Sequence, residues 1–210
     1  MPKTNMKIDW ATHEAAKYAC ENWHYSKCIP KSKLVKLGVW ENSKFVGVVV
    51  FGHGASSSLV NRYGLKMQEG CELVRVALTT HQTAVTRIIS ISLKFLKTSN
   101  PGLRLVVSFA DPEQGHHGGI YQGGGWLYCG TTSACNEYIY KGKRWHGRSF
   151  RNSHKGMENH PDVKTVLGSS KLRYLMPLDD EMKTKVKQLS LPYPKRAQSK
   201  DSVAADFQSD

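Results

Sequence analysis

The sequence lacks the cysteine patterns that hold together small secreted proteins and four-thiolate zinc sites. Its five cysteines form an odd set without a Cys-x-x-Cys pair: Cys20, Cys28, Cys71, Cys129 and Cys135. Such a set fits neither a disulfide framework nor a zinc site with four thiolates. We therefore expect reduced thiols that mostly serve packing.

Long apolar runs are absent as well. No stretch of about 18 uncharged apolar residues occurs, so a membrane-spanning helix is not expected. The opening segment, MPKTNMKIDW, lacks the apolar run of a signal peptide. The sequence therefore predicts a cytoplasmic protein with no membrane partner.

Acidic residues are scarce, because 17 Asp and Glu stand against 30 Lys and Arg, for a formal net charge of +13. This excess favours an anionic partner, and nucleic acid is the leading candidate. Two tracts, SKCIPKSKLVK (26–36) and KGKRWHGRSFRNSHK (141–155), carry many cations and no acid. A solvated basic surface is the alternative for each tract alone. The cations predicted to contact nucleic acid are Lys27, Lys31, Lys33, Lys143, Arg144, Arg148 and Arg151.

Hydrophobic periodicity predicts a single α+β domain with a mixed sheet over residues 1–195 and a disordered tail over 196–210. The basic segment 141–160 belongs to this domain. Helices are expected over 9–22, 81–99, 117–124 and 179–190. A hairpin over 33–54 turns at Asn42-Ser43, an irregular insertion covers 54–70, and further strands are expected over 71–79, 103–111, 126–132, 136–142 and 171–179.

Glycine-rich nucleotide signatures are also missing, since neither a Walker glycine–lysine loop nor a GxGxxG pattern occurs. The strand 71–79 nevertheless runs directly into the helix 81–99. The start of a helix presents free N–H groups and a positive dipole to anions, so a diphosphate is a candidate ligand there, with Arg75 or Arg87 adding charge. An ordinary strand-to-helix turn is the alternative.

The segment SFADPEQGHHGGIYQGGGWLYCG (108–130) resembles the late part of GCN5-related N-acetyltransferases, in which a short helix carries a tyrosine and a Gly-aromatic pair follows. The matching residues are Tyr121 and Gly125-Trp126. The resemblance implies a central, mostly antiparallel sheet flanked by helices, with Tyr121 near the coenzyme A sulfur, where it protonates the leaving thiolate. It also implies acetyl-CoA contacts at Arg75, Val76, Thr80, Thr83 and Arg87. This chain has TTHQTAVTR in place of the usual RxxGxG loop.

A closer resemblance is to the Mom family of phage DNA-modification proteins. It rests on WHYSKCIPKSK, Phe51-Gly52, ELVRV, FADPEQGHHGGIYQGGGWLYCG and KLRYLMPL, which together span about residues 20–178. The resemblance implies conversion of adenine in duplex DNA to N6-carbamoylmethyl adenine, with acetyl-CoA as the carbon source. This modification protects phage DNA from restriction enzymes in the host cytoplasm. The basic tracts would then contact double-stranded DNA, and base flipping is expected.

The same resemblance implies a catalytic centre with iron ligands at His24, Tyr25, Asp111 and Tyr121, and an acetyl-CoA arginine at Arg75. Imidazole, phenolate and carboxylate groups suit iron. The implied product is linked through a methylene carbon and contains an amide nitrogen, so a redox metal would help to explain it. The alternative is that Tyr121 is the acid of an acyl transfer and His24 a surface residue.

Two other functions stay open at this point. One is a conventional N-acetyltransferase that acts on an amine of a nucleic acid or protein, with Tyr121 as general acid. The other is a basic DNA-binding protein without enzymatic activity, which the missing RxxGxG loop would favour.

Charge reversal at Arg148 and Arg151 tests the second basic tract. We expect the Arg148→Glu/Arg151→Glu variant to bind all DNA sequences more weakly and to show a shallower salt dependence, by roughly one to two units of log–log slope. Fluorescence anisotropy across a salt series measures both effects. Unchanged affinity at low salt would remove the tract from the DNA interface.

Overall fold

The computed structural model describes residues 5–54 and 59–195, so the predicted tail lies outside the described residues. The helices are α1 (His13–Trp23), α2 (Val85–Ser99), α3 (Gly119–Gln122), α4 (Gly147–Ser153) and α5 (Asp180–Gln188). The strands are β1 (Met6–Trp10), β2 (Leu34–Glu41), β3 (Lys44–Gly52), β4 (Gly70–Leu78), β5 (Leu105–Ala110), β6 (Leu127–Thr131), β7 (Asn136–Tyr140), β8 (Lys143–His146), β9 (Lys164–Leu167) and β10 (Leu172–Pro177).

Seven strands form the main sheet in the order β1-β2-β3-β4-β5-β10-β6. Only β4 and β5 run parallel, whereas the other neighbours are antiparallel. The β2–β3 hairpin turns at Asn42 and Ser43, which both adopt positive φ (49° and 67°), as a tight hairpin turn requires. The predicted mostly antiparallel sheet flanked by helices is therefore confirmed.

Helices cover both faces of this sheet because successive side chains of its strands point to opposite faces and are apolar on both. On β3, Val49 and Phe51 pack in the cluster that contains Ile88 and Leu93 of α2. Val48 and Val50 point to the opposite face and pack with α1. On β5, Val106 belongs to the α2 cluster, whereas its neighbours Leu105 and Val107 pack with α5. The core thus consists of two apolar layers with the sheet between them.

The parallel ladder between β4 and β5 is short, and its end creates an opening in the sheet. It comprises the pairs from Gly70–Leu105 to Glu72–Val107, although both strands continue beyond it. The β3–β4 register also shifts between Leu73 and Arg75, which leaves Val74 as a bulge. A bulge bends its strand and increases the local twist. The opening therefore lies where β4 bends away from β5.

A second, three-stranded sheet in the order β8-β7-β9 is inserted between β6 and β10. Helix α4 packs on it through Phe150, whose ring stacks on Tyr138 at 4.6 Å between centroids. Both side chains are buried. The insertion therefore has an aromatic core of its own, and the basic tract 141–155 lies on its β7–β8 turn, β8 and α4.

Several local expectations were wrong. The predicted helix over 9–22 begins only at His13, because residues 6–10 pair with β2 as an edge strand. Strands β8 and β9 and helix α4 were not predicted, since segments of four to seven residues carry little periodicity. Within the described parts of the chain, no helix is long and apolar enough to cross a membrane.

Gly118 allows α3 to pack directly against β10. Its φ is +80°, and a Cβ there would overlap the Tyr174 phenol ring, whereas Gly115 (φ +69°) has open space around the same position. We expect Gly118→Ala to lower the free energy of unfolding by about 3 kcal/mol, through backbone strain plus overlap. Gly115→Ala, with strain alone, should cost about 1 kcal/mol. Urea unfolding of both variants measures the difference, and equal losses would contradict the packing role.

Candidate active site

A cavity of about 780 Å³ lies at the opening between β4 and β5. Its walls come from four parts of the chain that are distant in sequence. The first is the end of α1 with the turn after it (residues 23–25), and the second is β4 with the segment into α2 (residues 72–76, 78, 81 and 85). The third is the β5–α3 segment (residues 109–111 and 115–121), and the fourth is Lys171. The four residues implied as the catalytic centre, His24, Tyr25, Asp111 and Tyr121, all line this one cavity.

Tyr121 lies on α3 and is buried against Trp126 and Tyr174. Burial raises the pKa of its phenol to about 12, and the hydrogen bond with Ser108 only partly offsets this. The Ser108 hydroxyl lies 2.8 Å from the Tyr121 hydroxyl and 2.9 Å from the Leu73 carbonyl oxygen, and it can donate to either. Tyr121 is therefore protonated at neutral pH, as a general acid must be.

His24 follows α1 and is a neutral imidazole in this environment. Burial, together with the smaller effect of the positive charge of Arg75, lowers its pKa to about 4. The Ser26 backbone N–H donates to His24 Nδ1 at 3.1 Å, and the Ser26 hydroxyl lies 2.8 Å from the same nitrogen. Because Nδ1 accepts a hydrogen bond, the single ring proton resides on Nε2.

Asp111 ends β5 and is held by three neighbouring groups. One carboxylate oxygen accepts hydrogen bonds from the Glu113 backbone N–H (3.1 Å) and the Ser169 hydroxyl (3.3 Å). The other oxygen pairs with Lys171 Nζ at 3.5 Å. Both oxygens of Asp111 thus stabilise the turn after β5 and its contact with the segment before β10.

The implied iron does not fit this arrangement of donor atoms. The Nδ1 lone pair of His24 is engaged by Ser26, so the proton lies on the other ring nitrogen, and both Asp111 oxygens have protein partners. Tyr25, the fourth implied ligand, is 48% exposed. Among residues 5–54 and 59–195, no group of three or more His, Cys, Asp or Glu is placed to hold a metal ion. We therefore derive no chemistry through iron.

The residues implied for acetyl-CoA are divided between two places. Arg75 and Val76 line the cavity, and Arg75 Nε donates to the Cys28 carbonyl oxygen at 3.5 Å. Thr80, Thr83 and Arg87 lie outside the cavity wall, in or just after the loop that leads into α2.

Glu41 anchors that loop from the end of β2. Its carboxylate oxygens accept hydrogen bonds from the backbone N–H groups of Gln82 (2.8 Å) and Thr83 (2.7 Å). Burial alone raises the Glu41 pKa, but the hydrogen bonds from Thr83 and Gln82 lower it below the usual value. A buried carboxylate thus holds the loop that leads into α2.

The predicted DNA contacts differ in how freely they face solvent. Lys31, Lys33, Arg148 and Arg151 are exposed. Lys143 is exposed and lies over the Trp145 ring at 4.2 Å from its centroid, and Lys27 Nζ donates to the Asn22 carbonyl oxygen. Arg144 instead pairs with Glu137 and, at 3.4 Å, with Glu113. The charge of Arg144 is therefore compensated, and its side chain fastens the small sheet to the loop after β5.

Sequence reasoning missed several residues of this site. Glu72 and Lys171 line the cavity, Ser108 contacts the Tyr121 hydroxyl, and Glu41 holds the α2 loop. Glu72, Ser108 and Lys171 lie in or beside the quoted motifs ELVRV, FADPEQG and KLRYLMPL, so the signal was present but without an assigned role. Glu41 carries no such signal, because its partners lie 41 and 42 residues away.

The fold is that of GCN5-related acetyltransferases. A protein assigned as an acetyltransferase from Acinetobacter baylyi ADP1 is similar, with a TM-score of 0.50 and 12% identity over 87% of this chain and 97% of that one. The aminoglycoside N-acetyltransferase AAC(6')-Ib11 has a TM-score of 0.50 and 8% identity over 83% and 97% of the two chains. At these identities the likeness shows the fold.

The family model of the Mom protein family matches residues 5–195. The chain therefore belongs to the Mom family, a divergent branch of the GCN5-related fold. Family and fold together support an acyl-transfer role. A search of curated proteins by sequence gave no match.

Glu41→Gln tests the anchor of the α2 loop. At pH 7 the variant should lose roughly 1–3 kcal/mol of unfolding free energy, because an amide cannot accept from both N–H groups as a carboxylate does. The folded-state pKa of Glu41 is lowered, so its contribution is present above the unfolded-state pKa of about 4.3 and is lost as the pH falls. The difference between wild type and variant should therefore shrink in acid.

Urea unfolding at neutral and acidic pH checks this expectation. Glu21→Gln serves as the control, because Glu21 is exposed and its ion pair with Lys17 is long, at 3.9 Å. A difference between wild type and Glu41→Gln that does not change with pH would contradict the anchoring role of the carboxylate.

Proposed function

We propose that the chain modifies adenine in duplex DNA to its N6-carbamoylmethyl form with an acetyl-CoA donor, and so protects phage DNA from restriction. The main support for an acyl-transfer reaction is Tyr121, a protonated phenol buried at the β4–β5 opening. The nucleic-acid substrate and the product are those that the resemblance to the Mom family implies, and the family model matches residues 5–195. The basic tracts beside the cavity supply the surface on which DNA would lie.

The role of Tyr121 follows from its protonation state. When the Ser108 hydroxyl donates to Tyr121, the phenolic proton is available to a group in the cavity. As a thioester carbon–sulfur bond breaks, this proton passes to the leaving sulfur and prevents a free thiolate. The nitrogen donor that supplies the amide takes the acyl group as the sulfur leaves, because acetyl-CoA itself lacks this nitrogen. The product also has a carbon–nitrogen bond at the former methyl carbon, so the full reaction includes a two-electron oxidant as well.

The pantetheine arm of the donor fits the opening between the strands. The backbone of β4 from Leu73 to Leu78 lies beyond the last ladder pair with β5, so its polar groups on that side can bond the amides of an extended arm. Arg75 projects from this stretch into the cavity wall and is suited to a phosphate or carbonyl group. The α2 loop, held by Glu41, supports the end of the same cavity through His81 and Val85.

DNA approaches from the side of the small sheet. Arg144 of β8 pairs with Glu113, which is two residues from Asp111. The pKa of His146 in β8 is lowered mainly by burial and to a smaller extent by the positive charge of Lys171 in the cavity wall. The small sheet therefore lies beside the cavity. Exposed Lys141 lies in the β7–β8 turn and exposed Lys143 begins β8, so both cations can meet DNA phosphates.

Coexpression with a plasmid, followed by digestion to nucleosides and mass spectrometry, tests the proposed function. We expect adenosine with an added acetamido group from wild-type cells and none, or a severalfold smaller amount, from cells with Tyr121→Phe. The phenylalanine keeps the ring packing with Trp126 and Tyr174, so circular dichroism should show the same fold.

Two other outcomes would replace the proposal. Adenosine that carries an acetyl group would indicate a conventional N-acetyltransferase. Unmodified DNA together with tight DNA binding by the purified protein would indicate a DNA-binding protein without this activity. Equal modification by wild type and Tyr121→Phe would remove Tyr121 as the acid.

A further inference from the structure

Tyr25 is an exposed aromatic residue at the edge of the cavity. It lies in the turn after α1, lines the cavity and still has 48% of its surface accessible. Large apolar rings usually lose most of their surface on folding, and an accessible ring beside a cavity marks a contact site for a ligand. The question is which ligand the surroundings of Tyr25 would accept.

Two histidines fix the plane of the Tyr25 ring. The His24 ring lies 4.3 Å from it, between centroids, at an interplanar angle of 34°. The His116 ring lies 5.0 Å from Tyr25 between centroids and is nearly perpendicular to it, at an interplanar angle of 74°. Because one face of Tyr25 rests on His24, the accessible surface is the opposite face and the edge. A flat ligand can therefore stack on Tyr25, with His116 closing one side.

The turn that carries Tyr25 is also basic. Lys27, Lys31 and Lys33 follow it within eight residues and are exposed. Aromatic planes beside cations are the arrangement with which proteins bind unpaired nucleotides, since the ring stacks on the base and the cations meet the phosphates.

We propose that Tyr25 binds the extruded adenine by stacking, with the perpendicular His116 ring at its side, and that it does not act through its hydroxyl. This inference rests on the proposed function, because it assumes an adenine taken out of the duplex. It assigns to Tyr25 the selection of an unpaired base, whereas the basic tracts bind the DNA backbone.

Binding measurements on three proteins test the inference without catalysis. Fluorescence anisotropy compares a duplex that has one adenine opposite an abasic site with the same duplex fully paired, in the presence of EDTA. We expect wild type to prefer the unpaired adenine by roughly tenfold, the size of one stacked base. Tyr25→Phe should keep this preference, and Tyr25→Ala should abolish it while binding the paired duplex as wild type does.

Each other outcome has a defined meaning. If Tyr25→Phe loses the preference as Tyr25→Ala does, the hydroxyl is required and stacking is overturned. If Tyr25→Ala keeps the preference, Tyr25 does not contact the base. Wild-type binding to DNA without any preference would overturn the inference and leave the DNA surface intact, whereas no DNA binding at all would overturn the proposed function. Thermal unfolding confirms that the variants are folded.

Discussion

The early end of the β4–β5 ladder is the constraint on which the rest of the site depends. Pairing stops after Glu72 and Val107, where the bulge at Val74 bends β4. The Ser108 hydroxyl then spans the gap to the Leu73 carbonyl and contacts Tyr121. A parallel ladder that continued would close the cavity and leave Tyr121 no access to a substrate. The same distortion thus opens the sheet and positions the Tyr121 phenol.

Burial determines the protonation of two groups at this opening, because it raises the pKa of the Tyr121 phenol and lowers that of the His24 imidazole. Removal from water disfavours charge, so the pKa of Tyr121 rises to about 12 and that of His24 falls to about 4. Both groups are neutral at physiological pH, one as a proton donor and the other as a ring that supports Tyr25.

The small sheet gives the chain a second surface that the acetyltransferase-like core does not require. Its aromatic centre, built on Phe150 and Tyr138, holds a basic hairpin and a basic helix beside the cavity. Arg144 connects the two parts through its ion pairs with Glu137 and Glu113. Under the proposed function, DNA binding and chemistry would therefore depend on different residues.

Sequence alone determined the fold class, the order of the main elements and the candidate residues around Asp111 and Tyr121. Those features depend on local periodicity and on contiguous motifs. It did not reveal β1, the complete small sheet or the anchoring by Glu41, because short strands lack periodicity and the partners of Glu41 are distant in the chain. Tertiary structure alone decided that Ser169 and Lys171 engage the carboxylate oxygens of Asp111. A motif specifies which side chains are present, whereas packing decides their protonation and their hydrogen-bond partners.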